Sequence, residues 1–158
     1  MSKQYVTALE ESLEKKICVL DEIYRISQLQ AEVLAGQPVD FEKFDRYVDD
    51  KDICIGKINK LDEGFEILYD RVAKELKENR LAFADQISHM QELISQITDR
   101  SMTIQALEER NKNAVGEALS RERKELGQGK RSLNVAMNYY RNMSGAGVVP
   151  AQYMDKKK

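Results

Sequence analysis

The sequence predicts an all-α protein: an elongated antiparallel helical hairpin or three-helix bundle, coiled-coil-like, with a flexible C-terminal tail. Three observations predict it. The 158 residues hold 33% charged side chains, two prolines and no tryptophan, a composition of soluble helices rather than of a strand-rich sandwich. Apolar residues recur at three- and four-residue steps over most of the first 126 positions. No proline lies between Pro38 and Pro150, so nothing forces a stop over the central stretch.

The first helix, expected over 4–35, carries Val6, Leu9, Leu13, Ile17, Leu20, Ile23, Tyr24 and Leu34 on one stripe, with Glu10, Glu11, Glu14, Lys15 and Lys16 in the gaps. Gly36 should end it in a left-handed cap, and Pro38 prevents its continuation. Asp40 is placed to cap a second helix, with Val39 and Phe44 as a hydrophobic staple. A connection this short obliges the two helices to lie antiparallel.

The second helix, expected over 41–79, presents Phe44, Val48, Ile55, Ile58, Leu61, Phe65, Leu68, Tyr69, Val72 and Leu76. Glu78-Asn79-Arg80 is its expected end, because asparagine tolerates a C-terminal cap. A third helix, expected over 81–126, continues through Phe83, Ile87, Met90, Ile94, Ile97, Ile104, Leu107, Val115, Leu119 and Leu126. Thr98-Asp99-Arg100-Ser101 offers capping residues for a second break. These helices make residues 1–126 a rod about 45–70 Å long at 1.5 Å per residue. Gly127 and Gly129 weaken any continuation by about 1 kcal/mol each. Leu133, Met137 and Tyr140 resume the period, so residues 127–143 read as a conditional helix and residues 144–158 as a disordered tail.

Charge and chemistry narrow the function. The formal net charge of −2 divides into −9 over residues 1–109 and +7 over residues 110–158, a polarity that can steer an acidic partner. No apolar stretch approaches the ~18 residues of a membrane span, and the N-terminus has no secretory h-region, so a cytoplasmic location is expected. Cys18 and Cys54 lack zinc-site spacing and read as small buried hydrophobes. His89 is the single histidine, so the two Glu-x-x-His motifs of a di-iron bundle cannot be built, and it reads as a surface residue. Asp49, Asp50 and Asp52 sit inside a helix without a calcium loop's glycine turn. Gly127-Gln128-Gly129-Lys130 falls short of a phosphate loop, because Lys124 stands where that motif needs glycine. Neither an enzyme nor a cofactor or metal is expected.

Five features carry a family resemblance: the Leu34-Ala35-Gly36 turn, Leu61-Asp62-Glu63-Gly64-Phe65-Glu66, Leu107-Glu108-Glu109-Arg110-Asn111-Lys112, Tyr139-Tyr140-Arg141-Asn142-Met143, and a lysine-ended tail. Over about residues 5–143 the chain resembles the FlgN-like flagellar export chaperones. It departs from them in a longer helical segment near residues 80–100. The resemblance implies a cytoplasmic type III secretion chaperone. Such a protein binds the C-terminal amphipathic segments of hook–filament junction proteins, prevents their premature association, and delivers them to the export gate. The junction proteins are then the expected partners, with the export gate or its ATPase complex as a further one.

On that implication the partner-binding residues are Leu119, Leu126, Leu133, Met137, Tyr139 and Tyr140, covering a client helix in the helix-in-groove manner, with methionine adapting to imperfect shapes. Tyr153 and Met154, beside the terminal lysines, form a second expected surface for the export gate. The alternative for Leu119 to Tyr140 is bundle core. Other functions remain open at this stage: a chaperone for the filament or filament-cap protein, or a self-associating coiled-coil scaffold that forms a homodimer. Nucleic-acid binding through Arg110, Lys112, Arg121, Arg123, Lys124, Lys130 and Arg131 is disfavoured by the interrupting Glu117, Glu122 and Glu125.

Overall fold

The computed structural model describes residues 2–125, the last two by backbone alone, together with Tyr139 and Tyr140. Among them the fold is all-α, with helices α1 (Ser2–Leu34), α2 (Phe41–Glu78) and α3 (Ala84–Glu125), and no strand. Contacts fix the helix directions. Ser2 near the start of α1 meets Glu75 of α2, whereas Ser12 and Lys16 further along meet the Leu61 carbonyl and Asp62, so α1 and α2 are antiparallel. Glu10 and Asp21 meet Gln86 and Arg100 of α3 in ascending order, so α1 and α3 are parallel.

The α1–α2 turn is built differently from the expectation. Gly36 does not take the left-handed conformation. The chain instead tightens through hydrogen bonds from Ala35 N to Glu32 O (3.2 Å) and from Gly36 N to Val33 O (3.1 Å). A Cβ at Gly36 would lie 3.3 Å from the Val33 carbonyl oxygen, so glycine serves close backbone approach there. The Gln37–Pro38 peptide is cis. Asp40 caps α2: its Oδ1 accepts from Lys43 N at 3.1 Å. Val39 packs against the cluster of Phe41 and Ala118.

Between α2 and α3, Ala82 N to Asn79 O (3.0 Å) and Ala84 N to Leu81 O (3.5 Å) form successive tight turns. The α-helical pattern resumes only with Ile87 N to Phe83 O at 2.8 Å. Leu81, expected in the third helix, therefore sits in this turn and is 95% exposed, while Phe83 is buried. α3 then runs unbroken through Thr98–Ser101, because the Ser101 side chain is buried in the bundle and its hydroxyl caps nothing.

The described residues divide into two compact units, and each helix contributes one stretch to each. The first comprises residues 2–21 and 55–101. Its core takes Val6, Leu9, Leu13, Ile17 and Leu20 from α1, Ile58, Phe65, Val72 and Leu76 from α2, and Met90, Leu93 and Ile97 from α3. Lys16, expected among the solvated gap fillers, is buried there and pairs with Asp62 at 2.7 Å. Burial pulls the Lys16 ammonium below its usual range, and pairing with Asp62 opposes that pull. Cys18, expected to be buried, is exposed.

The second unit comprises residues 22–54 and 102–125 with Tyr139 and Tyr140. Ile23, Ile26, Phe44, Val48, Cys54, Ile104, Val115 and Ala118 form its apolar core. Into that core it also draws Ser27, Gln30, Lys51, Glu108 and Asn111.

Candidate functional site

The second unit holds a polar cluster where apolar packing would be the default. Lys51, fully buried on α2, donates to Glu108 Oε1 of α3 at 2.5 Å and to Ser27 Oγ of α1 at 3.3 Å. Ser27 Oγ itself donates to Glu108 Oε1 at 2.5 Å. Asn111 Nδ2, one turn beyond Glu108, donates to the Ser27 carbonyl at 3.0 Å. One carboxylate oxygen thus gathers two donors from two different helices, which fixes the register of all three stretches.

Tyr139 and Tyr140 close this cluster. The Lys51 Nζ lies 4.6 Å from the Tyr139 ring centroid and 5.8 Å from that of Tyr140, both within cation–π range. The two rings meet edge to face at 5.2 Å, and Tyr140 reaches Phe44 at 6.3 Å. The ammonium therefore has hydroxyl and carboxylate oxygens on one side and π-faces on the other. Burial pushes the Lys51 ammonium below its usual range, against the pull of Glu108. Burial, with the Glu108 charge nearby, pushes both tyrosine phenols well above theirs.

The residues expected to contact a partner are distributed as follows. Tyr139 and Tyr140 are brought together but are only 6% and 3% exposed, so in this state they are held by their own chain instead of facing a partner. Leu119 is half-buried beside Phe41 and Ala118. Leu126, Leu133, Met137, Tyr153 and Met154 lie outside the described residues, as do the glycine break and the tail. A separate cavity of about 270 Å³ opens where Gly36, Pro38 and Val39 of the α1–α2 turn face Ala118, Arg121 and Glu122 of α3.

Sequence reasoning missed Ser27, Gln30, Lys51, Glu108 and Asn111, yet a signal was present. Ser27 and Gln30 follow Ile23 by four and seven residues, Lys51 follows Val48 by three, and Glu108 and Asn111 follow Ile104 by four and seven, so each is a polar residue at a core position of its helix. The fold brings these polar positions of the three helices together. Elsewhere, His89 is exposed on α3, and its Nδ1 lies 2.6 Å from Glu10 Oε2 of α1. Among the described residues no group of three potential ligands could hold a metal ion, and no helix is long and apolar enough to cross a membrane. No protein-family model, curated protein or solved structure matches the chain.

Proposed function

We propose that this protein is a cytoplasmic flagellar export chaperone of the FlgN-like kind. Its clients would be the C-terminal amphipathic segments of hook–filament junction proteins, which it covers before export and hands to the export gate or its ATPase complex. One observation carries the reading: an aromatic pair from beyond α3 is seated on Lys51 and Phe44 of α2, where Lys51 is paired with Glu108 of α3. A frame that receives an aromatic pair from its own chain has the aromatic and ionic chemistry to receive the apolar face of a client helix. Clients of this class form coiled-coil contacts only after assembly, so their apolar seams need temporary cover. The resemblance over residues 5–143 supplies the flagellar context.

The test is a pull-down from motile cells with the full-length chain and with a version ending at Leu126, followed by mass spectrometry. Capture of junction proteins by the full chain alone supports the reading. Recovery of only the bait, or of the same non-flagellar proteins by both versions, ends it. A second reading, a self-associating scaffold, draws on the exposed apolar side chains Ile53, Ile67, Leu81 and Met102. Mass that rises with concentration in the micromolar range would favour it.

A further inference from the structure

Tyr139 and Tyr140 leave the chemistry of their seat incomplete. Glu108 Oε1 receives two donors, whereas Glu108 Oε2 is buried with no hydrogen-bond partner. The Tyr139 hydroxyl is likewise buried and has none. A donor and an acceptor of the same cluster are both buried and neither is paired with the other, an arrangement that costs stability. The rings pack well, on each other, on Phe44 and on the Lys51 ammonium, so the deficiency is confined to the polar atoms. The seat accepts an adjacent aromatic pair, yet its resident pair is not the best possible occupant.

We infer that the Lys51–Glu108 seat is a binding site for a partner's amphipathic helix that carries two adjacent aromatic side chains, with Tyr139 and Tyr140 as the resident pair that this helix displaces. The favoured occupant places a hydroxyl, indole or amide donor against Glu108 Oε2. The inference rests on the chaperone reading for the partner's identity and not for the exchange itself.

Covalent connection argues for a foreign segment over a second copy of this chain. Only residues 126–138 separate the pair from α3, and a tether this short holds the pair at an effective concentration on the order of millimolar. The same pair arriving from another copy at micromolar concentration makes the same contacts and loses. A partner helix wins only by better contacts, such as the donor that Glu108 Oε2 lacks.

Two fluorescein-labelled helical peptides of about 20 residues, long enough to form amphipathic helices, test the exchange. One carries adjacent tyrosines on its apolar face and the other carries serines there. Each is titrated against full-length wild type, Tyr139→Phe, and the double variant Tyr139→Ala/Tyr140→Ala, with anisotropy as readout. The tyrosine peptide should bind the double variant at least ~10-fold more tightly than wild type, because the tethered competitor is gone. It should bind Tyr139→Phe several-fold more weakly, on the order of 5-fold, because the resident ring then stays without an unsatisfied hydroxyl. The serine peptide should show neither change.

Equal binding of the tyrosine peptide to wild type and to the double variant overturns the proposal, as does an equal gain by the serine peptide. Should the double variant lose helicity by circular dichroism, Tyr139→Phe decides alone: unchanged or tighter binding overturns the proposal. A wild-type dimer at micromolar concentration that the double variant abolishes would assign the seat to a second copy and overturn it too. Peptide exchange that holds while the pull-down recovers no junction protein leaves the seat standing and removes the chaperone reading.

Discussion

Lys51 has no exposed surface, and its ammonium ion is held between the Glu108 carboxylate and the Tyr139 ring. A buried pair of this kind is best judged by what its disruption leaves behind. Lys51→Met strands a buried carboxylate and should cost about 3–5 kcal/mol in urea unfolding. Replacing both partners, Lys51→Met with Glu108→Leu, should cost far less than the two single changes summed, because no charge is left unpaired. A strictly additive double-mutant cycle would refute this account of the pair. His89 gives a second prediction at this scale. The Glu10 hydrogen bond, with the Glu10, Glu14 and Glu92 charges, raises the imidazole above its usual value near 6.5. Its protonated form is thus favoured in the fold. The contribution is complete below pH 6.5 and is lost as pH rises through the raised value. The chain's single histidine resonance should titrate above a model histidine, and Glu10→Gln should bring it down.

At the scale of the element, the three helices and their order were legible because each carries a long apolar stripe. Their ends were less so. Gly36 marked the first turn correctly in place, but the backbone closes through tight hydrogen bonds to Glu32 and Val33, and periodicity does not report hydrogen-bond partners. The third helix's start was obscured by Leu81, an apolar residue in register that the turn leaves exposed. Asp40 shows local chemistry acting as its residue type dictates, and Asp40→Ala should lower stability by about 1 kcal/mol, read as a shift in the urea midpoint. Ser101 looked like a cap and is instead a buried hydroxyl without a partner. Ser101→Ala should therefore raise stability by up to ~1 kcal/mol in the same assay, and a loss would show that the hydroxyl is satisfied after all.

For the whole molecule, the antiparallel fold turns polar residues at core positions of three helices into one polar cluster. That step could not be taken from any helix alone, because Ser27, Lys51 and Glu108 find these partners only on one another's helices. The tyrosines entered as expected partner contacts through the family resemblance, and the fold buries them beside Lys51 instead. The central claim is that this unit receives amphipathic segments from a client. Native mass spectrometry of the full-length chain mixed with a purified hook–filament junction protein tests it most directly. The account predicts a one-to-one complex that disappears when the junction protein lacks its C-terminal segment. A complex that survives that deletion, or only homodimers of the chain, would contradict it.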